Sequence, residues 1–359
     1  MLPYLDTIYG NPSSVYGIGR EARKAVEDAR AKVAKAIGAQ FSREIFFTGC
    51  GTESDNWAIW GAALANREKG RHMITSQTEH HAVLRQFEIM ERLGFEVTYV
   101  APDSLGRISA EAVEQAVRTD TILISVMMAN NEVGTINQVA QIGAMARERG
   151  ILFHTDAVQA AGHIPIDVER QNIDLLSLSA HKFNGPKGVG ALYIRRGVKI
   201  ENLLNGGAQE RKHRGGTENV ASIVGMGEAL RLALEEMEQE SERLTALREE
   251  MIALIAEQIP GATLNGDPVN RIPGNINMLF EGIESEAALI KLDLEGVACS
   301  GGSACTSGSI EPSHVLISMG IPPRQAKGAL RFTLGRENTA EEVRQAVKIL
   351  KGIVAQLRQ

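Results

Sequence analysis

Five stretches of the chain carry side chains that could do chemistry. Cys305 stands in Ser300-Gly-Gly-Ser-Ala-Cys-Thr-Ser-Gly-Ser309, a run built only from small residues. Such residues offer few packing anchors, so the run reads as a loop able to bring a thiol to a substrate and withdraw it. The plainer reading of a free cysteine is a small buried hydrophobe. Lys182, in Ser177-Leu-Ser-Ala-His-Lys-Phe-Asn-Gly-Pro-Lys-Gly188, follows an apolar stretch and is expected at a strand end inside a crevice. An amine kept from water, or held near another cation, loses its proton readily and can form a Schiff base with an aldehyde. Most lysines are instead solvated surface charges.

Asp156, in Phe153-His-Thr-Asp-Ala-Val-Gln159, closes another apolar run. A carboxylate there is costly unless it meets a cation, and a protonated pyridine nitrogen would be one. A helix N-cap is the alternative. His80, in Thr78-Glu-His-His-Ala82, opens a helical stretch and could stack on a ring or move protons, or be an ordinary helix-start histidine. The turn Gly49-Cys-Gly-Thr-Glu-Ser-Asp-Asn56 offers glycines, a helix start and the Thr52 hydroxyl, a combination that can wrap an anion. An ordinary strand-to-helix turn would look the same. Ser179 and His181 alternate at the end of the Lys182 strand and could face that anion together.

The elements that must position these groups are legible from periodicity. Short apolar or β-branched runs fall at Ile45–Thr48, Met73–Ser76, Val97–Val100, Ile122–Met128, Ile151–Thr155, Leu175–Ser179 and Val189–Ile194. Helical patterns separate them at Glu53–Glu68, Ala82–Leu93, Ala110–Val117 and Val139–Arg149. That alternation predicts an α/β domain around a buried, mostly parallel sheet, whose strand ends line the ligand crevice. From about 228 to 257, Leu230, Leu234, Met237, Leu244, Leu247, Met251 and Leu254 recur at helical steps, which predicts a long connecting helix. Beyond Pro260 the composition becomes turn-rich, and a last helix over Glu341–Leu357 closes a smaller α+β domain. The expected boundaries are 1–235 for the large domain and 236–359 for the small one, which contains the cysteine loop 300–314.

Composition narrows the classes of function. A chain of 359 residues with 43% apolar and only 4% aromatic content has room for a sizeable aliphatic core. A net charge of −6 with both signs interspersed argues against a nucleic-acid or membrane surface as main partner. No apolar run is long enough to span a bilayer, and the opening Met-Leu-Pro-Tyr-Leu-Asp lacks the features of a signal peptide. Three cysteines, at 50, 299 and 305, fit a reducing cytoplasm and make neither a disulfide framework nor a Cys-x-x-Cys metal site.

In this order along an α/β chain, the motifs resemble those of the cysteine desulfurases of the NifS/IscS type, within the class V aminotransferase group of fold-type I pyridoxal phosphate enzymes. The pieces that carry the resemblance are Thr52-Glu-Ser-Asp-Asn56, Thr78-Glu-His80, Ala129-Asn-Asn-Glu-Val-Gly134, Asp156-Ala-Val-Gln159, Ala180-His-Lys182, Gly185-Pro-Lys-Gly-Val-Gly190, Gly302-Ser-Ala-Cys-Thr-Ser-Gly-Ser309 and Arg331-Phe-Thr-Leu-Gly-Arg336.

The resemblance implies a large domain with a mostly parallel seven-stranded sheet and a smaller α+β C-terminal domain. It implies pyridoxal 5'-phosphate bound covalently to Lys182, with Asp156 at the pyridine nitrogen, His80 stacked on the ring and Gln159 on its phenolic oxygen. Asn131 would contact the bound substrate and cofactor. Gly51, Thr52, Ser179 and His181 would hold the phosphate, joined by Thr217 from the neighbouring subunit of a homodimer. Arg331 would clamp the carboxylate of L-cysteine, and Cys305 would take its sulfur as a persulfide for an acceptor or iron–sulfur scaffold protein. A selenocysteine lyase, another class V lyase or aminotransferase, or an inactive sulfur-transfer scaffold are the alternatives. Gly215 and Gly301 stand where the family usually has serine, and Lys327 where histidine is frequent. The family's usual opening strand and Ala-Thr-Thr loop would precede Met1. Cys50, beside the phosphate turn, reads as a small filler.

Overall fold

The computed structural model describes residues 1–301 and 312–359, so Cys305 lies outside the described residues. The chain divides into two compact units. The first comprises Met1–Val100, Ser109–Met128 and Gln138–Met237; the second comprises Ala101–Ile108, Ala129–Asn137 and Glu238–Gln359.

The first unit is built on seven strands: β1 (Ile45–Thr48), β2 (His72–Ser76), β3 (Glu96–Val100), β4 (Thr121–Ser125), β5 (Leu152–Asp156), β6 (Leu175–Ser179) and β7 (Gly190–Ile194). Their order is β1-β7-β6-β5-β4-β2-β3. The run from β6 to β3 is parallel, while β7 lies antiparallel to both β1 and β6. Five strands are buried along their whole length, which is why they read as continuous apolar runs rather than alternating ones.

The helix Gly51–Asn66 packs on this sheet with Ala58, Ile59, Ala62, Ala63 and Trp57 buried. It is buried around most of its circumference, so it shows no clean polar face. The Trp57 indole donates to the Glu201 carbonyl at 3.0 Å, satisfying the one polar atom of a fully buried ring. Trp57, Met73, Val83, Phe87, Met90 and Leu123 form the core here, each large side chain contributing about 1.5–3 kcal/mol by burial.

Two expectations shift. The regular strand in the apolar run over 122–128 ends at Ser125: Val126 and Met128 still donate to the His154 and Asp156 carbonyls of β5, but the Met127 N–H donates to the Glu79 carboxyl at 2.9 Å instead of to a strand. The long helix begins earlier than 228, at Val220, and reaches Gln258, its buried side starting with Val220, Ala221, Ile223 and Met226.

The second unit carries an antiparallel sheet, β10 (Ser300–Gly301), β11 (Ala329–Thr333), β9 (Asn275–Phe280) and β8 (Ala262–Leu264), in that order. Met251, Ile255, Ile276, Met278, Phe280, Leu330, Val343, Val347 and Leu350 make its core. The closing helix, Ala340–Leu357, starts on a capping box in which Thr339 and Glu342 exchange hydrogen bonds. Segment 129–137 closes on itself through a bridge between Ala129 and Ile136 and joins the rest of this unit through one between Thr135 and Arg271.

Candidate active site

Register brings three strand ends of the first unit together. Gly190, at the start of β7, pairs with Thr48 at the end of β1 and with Ser179 at the end of β6. The turn that leaves β1 therefore passes close by: a Cβ on Gly190 would stand 2.7 Å from the Cys50 carbonyl carbon. A Cβ on Gly51 would stand 2.9 Å from Val158 Cγ2 and 3.2 Å from Ser179 Cβ. Only glycines fit this close approach. The helix beginning at Gly51 has Cys50 as its N-cap and no side-chain cap hydrogen bond. Its first turn so presents backbone N–H groups and the positive end of the helix dipole beside Thr52 and Ser179.

Asp156 ends β5 and is buried. Its Oδ1 accepts the Val158 N–H at 2.8 Å, a turn rather than a helix cap. Burial pushes its pKa up to about 6, against the Val158 hydrogen bond and the charge of Lys182, which pull it down. Lys182 is thus near enough to act on Asp156.

Lys182 itself is exposed in the single chain, not enclosed as its position after an apolar strand predicts. The reason is local: β6 ends at Ser179, and a short 3-10 turn, Ala180–Phe183, lifts the next residues off the sheet. The His163 ring lies 3.0 Å from the Lys182 carbonyl, and Asn184 ends the turn in the left-handed region. Ser179 is buried, whereas His181 is exposed. Burial lowers the pKa of His181, and Lys182 and Lys187 lower it further.

His80 is the N-cap of the helix His81–Arg92, and its Nδ1 accepts the Ala82 N–H at 3.1 Å. That bond places the ring proton on Nε2. Gln159 is half-buried in the turn after β5, and Thr217 is exposed.

Behind Asp156 lies a buried polar cluster that composition alone did not single out, although its members sit inside the motifs. Glu79 Oε1 accepts from Ser76 Oγ at 2.6 Å and from the Met127 N–H, and burial pushes its pKa up to about 8. Asp55 is raised well above the carboxylate range by burial and by Asp156. Its Oδ1 is buried with no hydrogen-bond partner and lies 3.7 Å from His154 Nε2. His154 is held between Ser125 Oγ at 2.8 Å and Ser177 Oγ at 3.0 Å, and burial lowers its pKa to about 3. At neutral pH His154 is uncharged and Glu79 favours its protonated form, burial holds Asp55 above the usual carboxylate range, and Asp156 stays ionised.

The second unit brings together Asn131 and Arg331. The Arg331 guanidinium donates from Nη1 to the Asn131 carbonyl at 2.8 Å and from Nε to Ser300 Oγ at 3.1 Å.

The model of the aminotransferase class-V family matches residues 1–346. The chain belongs to this family. As a class-V member it is 54% identical, over its whole length and 88% of the relative, to a cysteine desulfurase IscS of Methanosarcina thermophila. It is 53% identical to one of Dictyoglomus turgidum, over its whole length and 91% of the relative. Among solved structures, a NifS-like protein superposes with a TM-score of 0.92 at 38% identity, covering 99% of this chain and 94% of that one. SspA in complex with cysteine matches with a TM-score of 0.82 at 37% identity over 92% of each chain.

The class-V cofactor is pyridoxal phosphate, and the residues present suit it. A buried carboxylate needing a cation, an amine close enough to act on it, and an uncapped helix N-terminus beside Ser179 match its pyridine nitrogen, aldehyde and phosphate in turn. No described helix is long and apolar enough to cross a membrane.

Proposed function

We propose that the protein is a pyridoxal phosphate-dependent cysteine desulfurase that converts L-cysteine to L-alanine and keeps the sulfur on Cys305. The observation that carries this reading is the fully buried Asp156 under the electrostatic influence of Lys182, in a class-V chain with a cysteine in a small-residue run. Lys182 holds the aldehyde carbon, Asp156 the ring nitrogen, His80 one face of the ring and Gln159 the phenolic oxygen. Gly51, Thr52, Ser179 and His181 hold the phosphate. Thr217 of a second copy completes that hold, making the working unit a homodimer.

When bound, pyridoxal phosphate supplies an electron sink that stabilises negative charge at the substrate α-carbon. Asp156 serves this by staying ionised, since a carboxylate opposite the ring nitrogen keeps that nitrogen protonated. Arg331 and the Asn131 segment receive the substrate carboxylate, for which the planar guanidinium is suited. Lys182 Nζ takes the proton from the α-carbon. Cys305, as thiolate, attacks the substrate sulfur. A sulfur–sulfur bond forms, the substrate carbon–sulfur bond breaks with its electron pair going to the substrate, Cβ takes up a proton, and Lys182 Nζ returns a proton to the α-carbon. The products are alanine and a Cys305 persulfide, which passes to a sulfur-acceptor or iron–sulfur scaffold protein.

The test is mass spectrometry after cysteine treatment. One added sulfur on Cys305 is expected, with alanine released and both lost in Cys305→Ala while the visible cofactor band persists. Undiminished alanine release by Cys305→Ala would assign the protein to the lyases instead. Borohydride reduction should leave the cofactor attached to Lys182, and attachment elsewhere refutes that assignment.

A further inference from the structure

Segment 209–217 of the first unit carries backbone strain. Glu210, Arg211 and Lys212 all lie in the left-handed region, with φ of 43°, 57° and 71°. Non-glycine residues are strained there and persist only where their surroundings fix them. Here tertiary contacts do so. The buried Arg30 grips Glu210, and Arg211 donates to the carbonyls of Arg43 at 3.0 Å and Ile45 at 2.8 Å. The His213 ring meets Phe46 edge to face, with centroids 4.9 Å apart. A loop that only connected two elements would relax, so the strain marks the residues that follow as positioned.

The next residue is Arg214. Its guanidinium grips the Glu53 carboxylate with two prongs, Nε to Oε1 at 2.5 Å and Nη2 to Oε2 at 3.1 Å. Glu53 lies in the first turn of the helix Gly51–Asn66, and its Oε2 also accepts the Gly49 N–H at 2.7 Å. One carboxylate thus fastens the turn that carries Gly51 and Thr52. Beyond Arg214 the backbone is fixed as well. The Gly215 N–H donates to the Leu204 carbonyl at 2.9 Å, and a Cβ on Gly215 would stand 2.8 Å from Gly206 Cα. Gly216 and the exposed Thr217 follow.

We infer that Arg214 and Glu53 are a pair of positioning residues serving two phosphate sites at once. They set the Gly49–Thr52 turn of their own chain and, through Gly215 and Gly216, the Thr217 hydroxyl that this chain presents to the partner subunit. This rests on the reading of Gly51, Thr52 and Thr217 as phosphate residues of a homodimer. The sign of the charge separates positioning from a direct effect. Glu53 is an anion beside a place for an anion, so as a charge alone it repels phosphate, and neutralising it would tighten binding. As a fastener it keeps N–H groups in line, and neutralising it loosens binding. The side chains of Arg214 and Glu53 are 20% and 17% exposed, so water screens the charge, whereas the alignment depends on hydrogen bonds of fixed length. The fastening effect therefore wins.

The test is absorbance titration of the stripped full-length protein with pyridoxal phosphate and with pyridoxal, which lacks the phosphate. Glu53→Gln should weaken binding of the phosphorylated form about tenfold and leave that of pyridoxal within about twofold. Arg214→Lys, which keeps the charge but not the two-pronged grip, should show part of the same loss. Hybrid dimers with Lys182→Ala in one chain leave one site able to attach the cofactor, and the visible band reports that site alone. Glu53→Gln should raise the concentration for half-saturation whether it stands in the chain with Lys182 or in the other. Weakening only from the Lys182 chain, tighter binding of pyridoxal phosphate, or equal losses for both cofactor forms overturns the inference. Thr217→Val in the chain without Lys182 checks the premise separately: unchanged binding of pyridoxal phosphate there refutes the two-chain phosphate site.

Discussion

Replacing Asp156 by asparagine should stabilise the cofactor-free protein while weakening its hold on the cofactor. Asp156 is buried, and its pKa is raised from 3.8 to about 6, mainly by burial. The folded value lies above the unfolded one, so the anion is the costly form in the fold. The penalty is absent below about pH 4 and grows as the pH rises, complete once it has passed the folded value. At 1.36 kcal/mol per unit it reaches on the order of 3 kcal/mol at pH 8 and about half of that at pH 5. Asparagine keeps the size of the side chain and an acceptor for the Val158 N–H, and it removes the charge. Urea unfolding of stripped wild type and Asp156→Asn at pH 5 and 8 should therefore show the variant more stable, by the larger margin at pH 8. Adding pyridoxal phosphate should reverse the ranking, because only the carboxylate gains from a protonated ring nitrogen. A variant no more stable than wild type at pH 8, or stabilised equally by the cofactor, would refute the claim that this carboxylate is kept for a cation.

Other outcomes follow from the same coordinates. Gly51→Ala puts a methyl group 2.9 Å from Val158 Cγ2 and should weaken cofactor affinity about tenfold or more, measured by absorbance titration of stripped protein. Arg331→Lys replaces a fork by a point charge and should raise KM for cysteine about tenfold or more with a smaller change in kcat, read from steady-state alanine release. Arg30 and Glu210 form a buried two-pronged ion pair, 2.7 and 2.9 Å, and Glu210 also accepts the Phe47 N–H of β1. Glu210→Gln should cost roughly 3 kcal/mol in denaturant unfolding, because it leaves the buried Arg30 guanidinium with only the half-exposed Glu27 carboxylate, 3.1 Å from its Nε, as counter-charge.

Much of the larger unit was legible in the chain. Strands buried on both faces must be nearly continuous apolar runs, and β1 and β6 end where those runs end. The small unit was harder to read. Strands β8 and β10 are only three and two residues long, too short for any periodicity. The run over 122–128 misled for a different reason: apolar content reports burial, and Val126, Met127 and Met128 are buried although only the β5 side of the strand keeps its backbone hydrogen bonds beyond Ser125.

The candidate site divides along the same line. Cys305, Lys182, Asp156 and His80 announce themselves through residue type and local setting, because a thiol among small residues or a charge after an apolar strand is already a local anomaly. Asp55, Glu79 and His154 do not, since their special character is the loss of water, which only packing decides. No spacing in the sequence could place Arg214 against Glu53, 161 positions away, or set Gly190 between Thr48 and Ser179. Local chemistry is written residue by residue. The proximity and desolvation that turn it into a site arise only when distant segments share one interior.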